Sequence, residues 1–219
     1  MSVILKEDHE RMARKIKKRA NSVCLVAGIV VVLVLVFPCI WKMQRDLIKS
    51  SYAVVRQHLV ELKSRYVLLE ILRTKPLSVG QALEVADVVM EESKANNVPI
   101  HLILSLMSKE SEFKPDAISS AGARGLMQVM PATWNLYVTE PSLRTLTARH
   151  NPALNVRVAI RYLGDLIGEH KDLRKVLKEY GGFVSKSPDG YVKAVMVKAE
   201  IYRRQLGEHG DIYFERVQR

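Results

Sequence analysis

Cysteine is nearly absent from this chain. Of 219 residues only Cys24 and Cys39 are cysteines, and both fall inside one apolar run. No disulfide can therefore staple the rest of the chain, whose stability must come from its own core. The six histidines have no cysteine or carboxylate partners at metal-ligand spacing, so neither a metal site nor a cofactor is expected. Nowhere do apolar and polar residues alternate over several positions as a strand would require, which makes the part after the apolar run all-α. It has no internal repeat and no low-complexity tract. With 48% hydrophobic and 26% charged residues, the composition is not that of a disordered chain.

What the chain has in excess is positive charge, +11 overall, and its location matters more than its size. Residues 1–22 carry seven cations against three acids, residues 42–76 eight against three, and residues 77–219 nineteen against seventeen. The basicity belongs to the N-terminal third. A nucleic-acid-binding face on the remainder loses its support, and nucleic acid is not an expected partner.

From Val23 to Trp41, "VCLVAGIVVVLVLVFPCIW", 19 residues carry no charged or strongly polar side chain. At about 1.5 Å of rise per residue such a helix spans the hydrocarbon core of a bilayer. A soluble core helix would normally keep one wet face, and this run has none. It is read as a transmembrane helix, residues 23–41, behind a basic cytoplasmic tail, residues 1–22. Six cations between Arg11 and Arg19 precede the run, and Lys42, Arg45, Lys49 and Arg56 follow it. That bias puts the N-terminus on the cytoplasmic side of the inner membrane and the bulk of the chain in the periplasm. A cleaved signal peptide fits less well, because Phe37-Pro38-Cys39-Ile40-Trp41 has no small-x-small cleavage pattern. The residues before Cys39 do not resemble a lipoprotein cleavage box either.

Beyond the membrane, Ile48, Tyr52, Val55, Leu59, Leu62, Tyr66 and Leu69 recur at alternating spacings of four and three. They form one apolar stripe on a helical stalk, residues 42–76, which either pairs as a coiled coil or packs against its own domain. Ser78 with Gln81 reads as a capping box for a helix to about Ala95, which Asn96-Asn97-Val98-Pro99 ends. A second helix runs from Ile100 to about Ser111 and is closed by Pro115. Pro131 and Asn151-Pro152 mark two further helix starts, the latter reaching about Ile167. Helical patterns follow at Leu173 to Tyr180 and Tyr191 to Leu206. The folded domain is placed at residues 77–207, with a C-terminal tail at 208–219.

In the helix that begins at Ile100, Glu110 lies seven residues after Ile103, four after Leu106 and three after Met107, so it shares their stripe, whereas Glu112 points elsewhere. A carboxylate there needs a reason. It could be structural, paired with an arginine such as Arg124 or held at the rim of the core. Alternatively, partial burial and the negative end of the helix both push its pKa upward, which suits a general acid near neutral pH. Gly122 and Gly125 then let the chain turn tightly and a ligand approach the backbone. Leu126, Met127, Gln128 and Met130 add an apolar floor with one amide, suited to an uncharged polar ligand such as a sugar.

Glu110-Ser111-x-Phe113-x-Pro115-x-Ala117-x-Ser119 followed by Gly122-Ala123-x-Gly125-Leu126-Met127-Gln128-Val129-Met130-Pro131-x-Thr133 resembles the first two motifs of the soluble lytic transglycosylase family. Asn151-Pro152-x-x-Asn155, Tyr162-Leu163, Tyr180 and Tyr191-Val192 fall in that family's order. The likeness covers roughly residues 80 to 200. It implies a lysozyme-like domain of goose-type or transglycosylase-like architecture, acting on peptidoglycan glycan strands. The implied reaction cleaves the β-1,4 bond between N-acetylmuramic acid and N-acetylglucosamine without water, leaving a 1,6-anhydromuramoyl end. By the same matching Glu110 is the single acid/base, while Ser119, Gln128, Met130 and Tyr180 line the cleft, Tyr180 bonding to or packing near Glu110. No second carboxylate is clearly placed for a two-carboxylate glycosidase.

The chain departs from the family's third motif, Ala-Tyr-Asn-x-Gly, with Glu179-Tyr180-Gly181-Gly182-Phe183, and Ala159 stands where the family commonly has glycine. A hydrolytic muramidase and a non-catalytic peptidoglycan-binding scaffold therefore stay open beside the lytic enzyme. Trp134 and Tyr137 are read as core packing before sugar stacking. A secretion, conjugation, flagellar or phage-assembly machine is a conceivable partner through the stalk.

Overall fold

A computed structural model describes residues 2–182 and 187–207, with side chains from Arg11 onward. Phe183 of the altered third motif and the C-terminal tail, 208–219, lie outside the described residues. The chain divides into two compact units, Met1–His58 and Leu59–Arg219.

The first helix, α1 (Ser2–Arg73), contains the apolar run and, further on, the stalk positions. In the first unit every described side chain is exposed, including those of the apolar run. By length and composition α1 contains a stretch able to cross a membrane, with a mean hydropathy of 3.2 over its most apolar window and none of that window buried. Pro38 stands inside the helix. In hydrocarbon, freed backbone groups at a proline are re-satisfied by neighbouring helices or local adjustment.

The second unit begins with the last turns of α1. Ser64, Leu68 and Leu72 are its buried positions there, at i, i+4 and i+8, while Leu59, Leu62 and Tyr66 of the 4,3 stripe are exposed and Leu69 is half-buried. The face that packs is thus not the one that the strongest apolar periodicity marks. Spacing identifies an apolar face, and packing against the following helices decides which rows are covered.

Among the described residues seven more helices follow: α2 (Val79–Asn96), α3 (Ile100–Glu110), α4 (Pro131–Tyr137), α5 (Leu146–His150), α6 (Pro152–Glu169), α7 (Leu173–Tyr180) and α8 (Pro188–Leu206). A short 3₁₀ turn at Pro141–Leu143 and α5 occupy a stretch where no helix was expected. Among the described residues there is no strand, only isolated bridges between Ile118 and Arg124 and between Arg124 and Val129. The unit is all-α.

The boundaries have local causes. The capping box at the start of α2 forms in both directions: Gln81 N donates to Ser78 Oγ (3.2 Å), and Ser78 N to Gln81 Oε1 (2.9 Å). Asn97 closes α2 in the left-handed conformation, which asparagine tolerates. Asn151 caps α6 by accepting from Leu154 N at 2.9 Å, with Pro152 in the first turn.

α3 is buried from Leu102 through Met107, on every side, and packs along α8, while α2 packs along α6. A helix apolar all round can only be central. A buried carboxylate ties the other pair together: Glu92 of α2, 2% exposed, accepts from Arg161 Nε (3.0 Å) and Nη2 (2.8 Å) of α6 and from Asn96 Nδ2 (2.9 Å). Arg157 Nε stands 3.4 Å from the same carboxylate.

Candidate active site

Glu110 is the last residue of α3, half-buried where the central helix reaches the surface. Burial of the carboxyl raises its pKa; a hydrogen bond donated by the Tyr191 hydroxyl and the positive charge of Lys109 act against that rise without cancelling it. The groups bearing on its acidity among the described residues are a phenol and an ammonium, with no second carboxylate among them. Arg124, considered above as a structural partner, instead places Nη1 at 2.7 Å from His150 Nε2.

Glu112 is exposed and pairs with Lys114 at 3.2 Å. Helical spacing does not set its direction, because α3 has already ended. Glu112 (φ 53°) and Phe113 (φ 63°) are both left-handed, a conformation costly for a bulky residue. Phe113 is held in it by burial, packing edge-on against Tyr202 at 6.2 Å under the Lys75 ammonium. This reversal starts the loop that leads to Met130.

The loop is a pair of stacked turns. Ser119 N donates to Ala123 O and Ala123 N to Ser119 Oγ, each at 3.0 Å. Arg124 and Val129 exchange backbone bonds of 3.2 and 3.0 Å, and Gly125 N donates to Ala117 O at 3.0 Å. Gly125 has φ +78°, and a Cβ there would lie 2.5 Å from Asn155 Nδ2, so both backbone and space require glycine.

Three side chains clamp this loop. The Ser111 hydroxyl, buried at the end of α3, lies 2.8 Å from Leu126 O and 3.2 Å from Met107 O. Asn155, fully buried on α6, accepts from Met127 N (2.8 Å) and donates to Arg124 O (2.8 Å) and Arg149 O (3.1 Å). Arg149 Nη2 donates to Gly122 O (3.0 Å) and Val129 O (3.1 Å).

The predicted cleft residues sit on this frame. Ser119 is half-buried, and its oxygen accepts within the turn. Gln128, half-buried and left-handed (φ 48°), donates its amide hydrogens to Ala117 O (3.1 Å) and Gly125 O (3.0 Å). Met130 is 40% exposed just before α4. Tyr180, at the end of α7, donates to Met127 O at 3.0 Å, so its hydroxyl serves the loop and not Glu110. It is still close enough for the carboxylate to act on it: burial first and the Glu110 charge second push its pKa well above the usual phenol value. Tyr180 stacks on Tyr162 at 5.7 Å, and Tyr162 lies 6.1 Å from Tyr137. Trp134 is fully buried and donates to Leu143 O at 3.0 Å.

The direct partner of Glu110, Tyr191, was not expected to touch it, although its place in the motif order marked it. Nothing in the spacing of two residues 81 apart could reveal the bond. Asn155 as a loop clamp was missed for the same reason. Ala159 is fully buried in the core.

Two other features stand apart from this site. A cavity of about 630 Å³ at the opposite end of α3 is lined by Pro99, His101, Leu102, Ile167, Val176 and Met196, among others. Glu169, His170 and Glu179 bring one ligand-capable atom each within 4.8 Å of one another. Both glutamates are exposed, and His170 Nε2 already lies 2.7 Å from Glu179 Oε2.

Residues 87–184 match the sequence profile of the Transglycosylase SLT domain. Proteins named membrane-bound lytic murein transglycosylase C from three strains of Haemophilus influenzae are each 41% identical over 78 residues, covering 32% of this chain and 21% of their own. The chain thus spans about a fifth of the length of these relatives. The solved structure of an inactive mutant of lytic transglycosylase Slt from Pseudomonas aeruginosa aligns with a TM-score of 0.40 at 19% identity, over 60% of this chain and 24% of that one. Through the domain that carries Glu110 and its clamped loop, the chain is similar to the lytic transglycosylases.

Proposed function

We propose that this chain is a membrane-anchored peptidoglycan lytic transglycosylase. The observation that carries the reading is Glu110: one carboxyl at the end of a buried helix, its pKa raised by burial, facing a phenol donor beside the Gly-Leu-Met-Gln loop. In the proposed reaction protonated Glu110 gives its proton to the glycosidic oxygen between N-acetylmuramic acid and N-acetylglucosamine, and the bond from that oxygen to the muramoyl C1 breaks. The resulting carboxylate takes the proton of the muramoyl 6-hydroxyl as O6 bonds to C1. This forms the 1,6-anhydro ring and returns Glu110 to its protonated state. The internal hydroxyl fills the nucleophile's place, which suits a site where no second carboxylate bears on Glu110.

The cleft residues follow from what their hydrogen bonds leave over. Ser119 accepts within its turn, so its own proton is available to a sugar oxygen. Gln128 spends its two amide hydrogens on the loop, leaving its carbonyl oxygen to accept from a sugar hydroxyl or N–H. Met130 offers an exposed apolar contact, and Tyr180 packs beside Glu110 while holding Met127. In this reading residues 23–41 cross the inner membrane, residues 1–22 are cytoplasmic, and the stalk (42–76) and catalytic domain (77–207) lie in the periplasm.

Incubating the full chain with purified murein and analysing the products by mass spectrometry tests the reading. Anhydromuramoyl ends support it, reducing ends indicate a hydrolytic muramidase, and intact glycan with retained binding indicates a scaffold.

A further inference from the structure

The third motif departs from the pattern it resembles at Gly181, and the backbone does not explain why. Gly181 caps α7 with φ −70° and ψ −8°, a right-handed conformation open to any residue. Space does explain it. A Cβ on Gly181 would lie 2.7 Å from Cε1, 2.9 Å from Cζ and 3.0 Å from Cδ1 of the Tyr191 ring. Such distances force something to move, and this ring is a poor candidate to absorb the strain. It is rigid and 9% exposed, in the first turn of α8, with the Lys109 ammonium 6.0 Å from its centroid. Its far end carries the hydroxyl that donates to Glu110.

We infer that Gly181 is a positioning residue: by having no side chain it leaves the room in which the Tyr191 ring brings its hydroxyl onto Glu110. The groups that then face the carboxyl are Tyr191 from α8, Tyr180 from α7 and Lys109 from α3 itself. Of these, the Tyr191 hydroxyl binds the carboxylate form directly and holds the burial-driven rise in pKa in check. Displacing the ring by substitution at 181 loosens that restraint without altering the Glu110 side chain itself.

The catalytic meaning rests on the transglycosylase reading, but the test need not involve glycan. The full chain, in nanodiscs and labelled with ¹³C at glutamate side-chain carboxyls, is titrated by NMR, the Glu110 signal being assigned by its loss in Glu110→Gln. Tyr191→Phe removes the hydroxyl and is expected to raise the Glu110 midpoint. Gly181→Ala is expected to raise it as well, and Gly181→Ala with Tyr191→Phe no further than Tyr191→Phe alone. A wild-type midpoint in Gly181→Ala, or two shifts that add in full, overturns the inference. If Gly181→Ala fails to fold, the same change is made with Tyr191→Ala, which empties the space. Stability equal to that of Tyr191→Ala alone supports the inference, and a persisting defect overturns it. A chain that gives these shifts yet cleaves no murein would remove the proposed activity and leave the positioning role standing.

Discussion

At the scale of single residues, Glu110 is set by a conflict between burial, which favours its neutral form, and two neighbours that favour its charged form. Burial prevails, with a consequence for stability as well as chemistry. A carboxyl whose folded pKa exceeds its unfolded value binds protons more readily in the native state. Its favourable contribution is therefore present at low pH and is lost as pH rises from the unfolded value through the raised folded one. Glu110→Gln should have a higher Tm than the wild type at neutral pH, the two converging below about pH 4, where the unfolded carboxyl is also protonated. A wild type more stable than the variant at pH 7 would contradict the burial argument. The same variant should lose glycan cleavage by roughly 10²–10⁴-fold, the range for removing a positioned general acid, with binding to murein retained. In wild type, kcat/KM should fall on the alkaline side as Glu110 loses its proton, since only the protonated form can serve the leaving oxygen.

At the scale of elements, the site depends on α3 being pinned to a loop several of whose backbone polar groups are satisfied by side chains from elsewhere. Asn155, fully buried on α6, supplies two of those bonds and a third to Arg149 O of α5. Asn155→Ala would leave the Met127 amide and the Arg124 and Arg149 carbonyls short of partners, costing about 2–4 kcal/mol in denaturant unfolding. Glycan cleavage should drop even where the variant remains folded, because the loop bonded to the end of α3 is no longer held. Glu92 plays the corresponding part between α2 and α6. Its carboxylate is buried but its arginine partners are partly exposed, with Arg161 at 44% and Arg157 at 33%. Glu92→Gln should therefore lower stability by about 1–3 kcal/mol, less than the loss of a fully desolvated pair, and leave the chemistry at Glu110 intact. Much of this level was legible beforehand. Caps and prolines marked the starts of α2, α4 and α6, since those signals act within one turn. The short helix at Leu146–His150 was not legible, because five residues carry too little periodicity to stand out from a loop.

At the scale of the whole molecule, the two units are described by different physics. The first exposes every described side chain, including nineteen consecutive apolar or small ones, a surface that water does not favour and hydrocarbon does. We expect the full chain to stay with membranes through high-salt and carbonate washes and to need detergent for release, whereas a chain lacking residues 1–41 should fractionate as soluble. A phosphatase joined to the C-terminus should be active if the catalytic domain is periplasmic, and inactivity would reverse the proposed topology. The second unit has no cysteine and is held by a core running from Leu68 to Leu206. Its unfolding should be indifferent to reducing agents.

The sequence alone determined the helical class, the membrane-length apolar run, most helix starts, and Glu110 as the carboxyl at the mouth of a buried helix. Each of these is written in composition or in spacings shorter than about two turns, where local sterics and hydrophobic periodicity act. Only the tertiary structure decided which phenol meets Glu110, what holds the loop after α3, which face of the α1 stalk is covered, and why position 181 has no side chain. Those outcomes depend on α3 packing against α8 and on α6 passing beneath the loop. Residues far apart in sequence acquire fixed distances only when the core closes around them.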